Sequence, residues 1–395
     1  MRKKRVLFIL LILLSCQILW AKDFGVILDQ SLRFGGQEKD PKFDYEGILI
    51  PRFSALLGDN SELLISMGIN ASYLEETWII VPELLRTEMA LRFGKGELKF
   101  GRMYYTDPLG FIAEGLFDGA GFSLSTAAGT FSIGTWYTGL LYKNRAEITM
   151  TQAELESLDV KPDYSNFANT YFAPKRLLSA LEWEHPSLGN LFKVKASILG
   201  QFDISGADLH SQYAALRISL PVDKFVFSLG GCLELIEDSD DFGIGLAGEA
   251  GIAWMLPTPI EDCLSLMGRF SSGVNGDNSV RAFLPVTTTA QGELLEAKFS
   301  GISMLSLNYL GRFHRNFSAS LSSSYFIRTD KETYQNYGTK GKFLGNEFFG
   351  QLIWSPVSDL QFNLSGGVFL PSMGNADPDA DKLWRIGLNI ILSLY

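Results

Sequence analysis

The chain has 395 residues, and its 44 acidic side chains outnumber its 34 lysines and arginines. That balance leaves no basic face for a nucleic acid. Mean hydropathy is +0.10, yet beyond the leader no run of about 18 apolar residues occurs, which excludes transmembrane helices. Glycine (39), phenylalanine (29) and tyrosine (14) are plentiful while proline (14) is sparse. This mix suits strands joined by glycine turns, in two ordinary domains or one large barrel.

The chain opens MRKKRVLFILLILLSCQILWAKDFG. A basic start (Arg2, Lys3, Lys4, Arg5), an apolar stretch and a small residue before Lys22 mark a secretory signal peptide, with cleavage expected after Ala21. The rival is a lipoprotein signal with LLSC as lipobox and Cys16 lipidated, which would leave QILWA as an apolar stub. Loss of residues 1–21 removes four basic residues and makes the balance 30 against 44. Cys232 and Cys263 then remain, too few for a disulfide framework, and both are expected as free thiols.

From residue 22 on, the patterning leads one to expect a single domain. Apolar and small or polar residues alternate almost throughout. Leu63, Ile65, Met67, Ile69, Ala71 and Tyr73 fall on one face, against Leu64, Ser66, Gly68, Asn70 and Ser72. Leu85, Met89, Leu91 and Phe93 oppose Arg86, Glu88 and Arg92. Phe192, Val194, Ala196, Ile198 and Phe202 oppose Lys193, Lys195, Ser197 and Gln201. A period of two is a strand signature. The chain is expected to make strands near 23–36, 45–58, 62–74, 84–94, 97–105, 117–126, 130–142, 176–184, 191–203, 209–220, 224–236, 242–255, 262–271, 302–312, 316–328, 344–355, 359–370 and 383–395. Short turns (GDNS, GKG, AAG, HPSLGN, PVD, PTPIED, HRN, SPVSD) alternate with longer or more polar ones at 37–44, 143–175, 273–300, 330–343 and 371–382.

A soluble sandwich also alternates. It does not explain turns of two alternating lengths, or a polar face made of small residues with charges of both signs. The fold expected is therefore all-β, a transmembrane antiparallel up-and-down β-barrel of about 18 strands, with 16 as the rival count. Both termini would lie in the periplasm. Residues 273–300 could add a hairpin through RAFLPVTTT and LLEAKFS. In 143–175, Thr151 and Glu154 have capping-box spacing, and Leu155 and Leu158 give a short helix one apolar side. That loop could fold inward as a constriction or stand above the surface. Trp183, Trp254 and Trp354 end downward strands on the apolar parity, as an inner aromatic girdle would, and Trp384 begins one, in the outer girdle. Trp136 has the opposite parity and should face inward.

The last strand, LWRIGLNIILSLY, sets Trp384, Ile386, Leu388, Ile390, Leu392 and Leu394 against Arg385, Gly387, Asn389, Ile391, Ser393 and Tyr395. With the leader and the alternating strands, this aromatic end resembles an outer-membrane β-barrel of the porin type. Residues 101–143, GRMYYTDPLGFIAEGLFDGAGFSLSTAAGTFSIGTWYTGLLYK, are similar to hairpins of spirochaete porin-like proteins. The resemblance implies outer-membrane lipid as surroundings and a folding signal at Tyr395, read by the barrel assembly machinery. The usual pattern has that aromatic in phase with the apolar face, whereas Tyr395 is one residue out of phase.

No catalytic constellation is visible. His185, His210 and His314 share no motif, no metal-ligand cluster exists, and adjacent His210 and Ser211 would face opposite ways on a strand. The glycines of GKG suit a hairpin better than a phosphate loop. No cofactor is expected. By parity the inner face carries Asp29, Arg33, Glu46, Arg52, Arg86, Glu88, Arg92, Lys193, Lys195, Arg217, Glu234, Glu249, Arg269, Arg328 and Arg385. Such charges are tolerable around a hydrated lumen or as cross-strand pairs. They point to a passive channel for small polar solutes with a weak anion preference. The alternative is a surface-exposed structural or adhesive barrel with a plugged lumen, whose loops bind external ligands such as host or matrix molecules. A hydrophobic-solute transporter would need an inner apolar pocket and a plug, which the N-terminus does not supply, since strand one begins at Asp23.

Overall fold

The computed structural model describes residues 21–74, 77–206, 208–238, 241–274, 280–330 and 341–395. Residues 1–20 of the leader, Cys16 among them, lie outside these. Eighteen antiparallel strands form one closed sheet. They are β1 Ala21–Gln37, β2 Asp40–Leu56, β3 Ser61–Leu74, β4 Thr77–Phe93, β5 Gly96–Thr106, β6 Glu114–Thr126, β7 Gly129–Tyr137, β8 Arg176–Leu188, β9 Phe192–Asp203, β10 Leu209–Val222, β11 Phe225–Asp238, β12 Asp241–Met255 and β13 Glu261–Ser271, then β16 Ile302–His314, β17 Phe317–Arg328, β18 Phe343–Val357, β19 Leu360–Leu370 and β20 Leu383–Leu394. Between β13 and β16, β14 Ala290–Gln291 and β15 Ala297–Lys298 pair only with each other. The ambiguous stretch 273–300 thus contributes a small separate ribbon and no wall strand.

Closure is made by β1 and β20, in register from Val26 opposite Leu394 to Gln37 opposite Leu383. Phe24, Phe34, Ile386, Leu388 and Leu394 are exposed on the outside of this seam. Asn389 and Asp29 share a hydrogen bond on the inside. Tyr395 continues the inward parity. Its ring lies over Gly25, where any side chain would collide with it, so the glycine supplies the room the aromatic needs.

Four expectations need correction. Residues 37–44 are no long loop, because β1 and β2 pair up to Gln37 and Asp40 and leave only Glu38 and Lys39 as the turn. The strand expected at 84–94 begins at Thr77, and the one expected to reach residue 142 ends at Tyr137. Residues 37–44 run beyond the apolar band and need no alternating apolar face, while 77–83 is apolar on both faces around Pro82, so neither alternates and both look like loop. Finally, Leu85 is not on the lipid face with Met89 and Leu91. A bulge shifts the β3–β4 register between Ile65 and Met67, so Leu84 is exposed outside while Leu85 packs inside against Gly68. A lipid-soluble maleimide should therefore label Leu84→Cys at least tenfold faster than Leu85→Cys. Unbroken alternation predicts the reverse order.

Candidate channel and its inward loops

Three segments turn into the barrel from the end opposite the chain termini. The first, 107–113, is organised by Asp107. Its carboxylate accepts hydrogen bonds from the backbone N–H of Leu109 (2.8 Å), Gly110 (3.1 Å), Ile112 (2.8 Å) and Ala113 (3.1 Å). Burial pushes this carboxyl up, and the four N–H groups pull it down. The loop then offers Phe111 and Ile112, both fully buried.

The second segment follows β7. Helix α1, Lys143–Ala146, leads to Ile148 and Met150, both buried. Helix α2, Gln152–Leu158, has the expected capping box between Thr151 and Glu154. Glu154 also pairs with the fully buried Arg176 at 2.5 Å. Lys143 Nζ donates to the carbonyls of Ser157 (2.5 Å) and Val160 (2.7 Å), which folds the loop on itself.

The third segment, 280–301, crosses the interior. Phe299 packs edge-on against Phe111, with ring centres 4.6 Å apart, and Phe283 lies against both. Val286 N–H donates to Ile112 O at 2.7 Å. Tyr213 donates to Leu284 O (2.7 Å), and Glu234 accepts from Leu284 N–H (2.8 Å). Glu347 accepts from the N–H groups of Glu293 (2.7 Å), Leu294 (2.9 Å) and Leu295 (3.0 Å). Lys298, whose ammonium burial pulls down to about 8, donates to Thr149 O and joins the second and third loops. Together the three segments form an apolar core inside the barrel.

The expected inner-face charges all lie on the interior parity, and most are paired. Arg33 meets Glu46 at 3.3 Å, and Arg86 meets Glu88 at 2.5 Å. Arg92 bridges Glu62 and Glu97 at one rim. Lys193 (3.2 Å) and Lys195 (3.0 Å) share Glu184. Arg217 (3.3 Å) and Arg269 (3.4 Å) share Glu249. Arg385 reaches the third loop at Glu296, 2.6 Å away. Arg52 lines a cavity of about 540 Å³ with Asp23, Ser54 and Tyr395. Four of these side chains do not face open water, which corrects their reading as lumen lining. Glu88, Glu234, Glu249 and Arg328 are buried, because inward loops or arginine partners cover them; Arg328 itself donates to Gly341 O.

Open space remains along β8, β9 and β10. Pro108, at the tip of the first loop, faces Lys193, Lys195, Arg217 and Ser219 across a gap of about 300 Å³. A neighbouring space is lined by Thr106, Ser132, Glu182, Glu184 and Lys195. Tyr105 bonds Glu182 (3.0 Å) and stacks on Trp136, which faces inward as its parity requires, with ring centres 4.3 Å apart.

Aromatic residues collect at both ends of the outer surface. Trp183 donates to Ala128 O, Trp254 stacks on Phe225 and Trp354 on Phe362, all beside short turns. At the other end Trp384 meets Phe34 edge-on. Trp78 with Tyr45 and Tyr73 extends that cluster and was not anticipated, since 77–83 did not read as strand. His185 and His314 lie at short-turn ends, and His210 accepts from Asp203 N–H at the start of β10. Among the described residues no cluster of His, Cys, Asp or Glu could hold a metal ion, and Cys232 and Cys263 are free.

No protein-family model and no curated protein matches the sequence. Solved structures do match it in fold. OccK2 (OpdF) of Pseudomonas aeruginosa superposes with a TM-score of 0.63 at 12% identity, covering 95% of this chain and 98% of that one. OpdK of the same organism, solved with vanillate, gives 0.62 at 11% identity over 95% and 99%. OccD3 (OpdP) gives 0.62 at 11% over 95% and 92%. The architecture is thus that of the 18-stranded outer-membrane porins. These neighbours do not support the likeness of residues 101–143 to spirochaete hairpins.

Sequence reasoning offered one loop, 143–175, that could fold inward or stand above the surface. The structure turns in three, and their anchors Asp107, Glu347 and Arg176 were not anticipated. The one visible signal was apolar residues inside polar connections, FIA at 111–113 and AFLPV at 282–286. Glu347→Ala would leave three N–H groups without their acceptor, and for the buried one, Leu295, the cost is about 1–3 kcal/mol. Hydrogen exchange at residues 293–295 should rise at least tenfold. Unchanged exchange would mean that other contacts hold the loop.

Proposed function

We propose that the protein is an outer-membrane channel for passive diffusion of small hydrophilic solutes, with its narrow part between the Pro108 tip and the β9–β10 wall. One observation carries this reading. The inward loops fill one side of the barrel with an apolar core, yet the side bearing Lys193, Lys195 and Arg217 stays open and polar. A lining of charges at a constriction biases which ions pass. Three cations face the gap, while Glu184 and the buried Glu249 offset part of their field, so the preference for anions is weak. OccK2 has been solved with glucuronate and OpdK with vanillate, and small carboxylates are a reasonable class to try first.

In this reading the leader is removed after Ala21 and both termini lie in the periplasm. The tryptophans 183, 254, 354 and 384 sit at the lipid interfaces. Tyr395 is read by the assembly machinery from the inward face, where Gly25 makes room for it. The channel works without enzymatic chemistry.

In planar bilayers the folded protein should give stepwise ohmic currents, and silence at all voltages would count against a channel. Lys193→Gln with Arg217→Gln should shift the reversal potential in a salt gradient toward cation preference by several millivolts; no shift would remove these residues from the constriction. Deleting 149–170 takes away Thr149 and Met150 together with α2. Single-channel conductance should then rise, and an unchanged value would show that the second loop does not narrow the path.

A further inference from the structure

Strand β4 is paired unequally on its two sides. Toward β3 its ladder starts with Thr77 opposite Leu74 and continues to the short-turn end. Toward β5 it has only the seven pairs from Thr87–Arg102 to Phe93–Gly96. Beyond them β5 stays with β6, and β4 has an open edge. Gly101 sits at this fork with φ +115°, and a side chain there would collide with Thr87 O.

The open edge presents the carbonyls of Ile80, Pro82 and Leu84, and side chains meet all three. The Tyr164 hydroxyl donates to Ile80 O, the Tyr171 hydroxyl to Pro82 O (2.8 Å), and Arg102 Nη1 to Leu84 O (2.5 Å). Pro82 suits an edge because it has no N–H to leave unpaired. Arg102 also holds Asp118 through two bonds (2.9 and 2.7 Å) and donates to Leu140 O (3.0 Å). The second inward loop therefore stops a wedge in the wall.

The wedge lies at lipid depth. Met67, Ile69, Ile80 and Leu84 are exposed outside it, and the cluster of Tyr45, Tyr73 and Trp78 lies above it. Its inner mouth is aromatic and aliphatic around one ion pair, the buried Glu83 with Arg145 at 3.1 Å. Val81 and Leu85 are buried there, and Tyr142, Tyr171 and Phe167 form a stack with ring centres 4.9 and 4.3 Å apart.

We propose that this wedge is a lateral port joining the lumen to the surrounding lipid, and that it passes single-chain amphiphiles with an anionic head. The chain would run between Val81 and Leu85 on one side and Tyr142 and Tyr171 on the other. The head would take the place on Arg102 that Leu140 O occupies. Opening breaks side-chain bonds to an edge and leaves every strand ladder intact. Because uncapped carbonyls are costly in hydrocarbon, the port stays shut until its occupant arrives. This route is separate from the axial path and can be tested apart from it.

The test uses the whole protein in vesicles and a fluorescent dodecyl sulfonate, whose fixed charge slows unassisted crossing. The protein should speed transbilayer transfer of the probe at least tenfold over protein-free vesicles. Leu84→Cys with Leu140→Cys, bridged by a bis-maleimide, should abolish that gain and leave potassium chloride conductance within twofold. Tyr164→Phe with Tyr171→Phe, which needs no cross-link, should raise transfer severalfold at unchanged conductance. The proposal is overturned by any of three results: no acceleration by the unmodified protein, transfer unaffected by both changes, or transfer and conductance falling in equal proportion.

Discussion

Backbone hydrogen bonding at membrane depth is the constraint on which the rest of this structure depends. In hydrocarbon an unpaired N–H or C=O costs several kcal/mol, so a sheet that crosses must close on itself. The seam between Val26–Leu394 and Gln37–Leu383 meets that demand. The fork between β4 and β5 breaks it locally, and the wall there holds only because two tyrosines and an arginine stand in for the missing strand. The same constraint explains why Pro82 is tolerated in a membrane strand.

The inward loops face a related constraint without lipid. Segments that leave the wall and pack in the interior carry backbone N–H groups away from water. Carboxylates answer them: four N–H groups on Asp107, one on Glu234 and three on Glu347. Glu234 and Glu347 stand on wall strands and are directed at loops from elsewhere in the chain. The apolar side chains of those loops then bury one another, each phenylalanine contributing roughly 2 kcal/mol. The loops are therefore part of the folded core.

Much of the wall was legible in the sequence, because side-chain parity in a strand is fixed by covalent geometry. Trp136 could be turned inward from its neighbours Ser132 and Gly134 alone. The limits are as physical. Leu84 and Leu85 are chemically identical, so the bulge that exchanges their faces leaves no trace in composition. Residues 37–44 look like loop because a strand beyond the apolar band has no greasy face to show, and 77–83 because it is apolar on both faces around Pro82 and so does not alternate. Asp107 and Glu347 look like any solvated carboxylate, since their partners are backbone groups brought by folding. The phenylalanines at 111, 283 and 299 were visible, but an apolar run between strands fits a further strand as well as an inward loop.

The lumen is thus divided by chemistry rather than left uniform. On one side the aromatic core of three loops removes water and buries Glu234. On the other, Lys193, Lys195 and Arg217 line the open, polar space, with Glu184 and Glu249 beside them. An ion pair beside water costs little to part, so in the proposed channel each lysine would exchange Glu184 for a passing anion and return. Arg217 is held more firmly, with Glu249 buried behind it and Pro108 O before it. The flexible cations would then hand a solute along β9, and Arg217 would mark the place where the loop tip narrows the path.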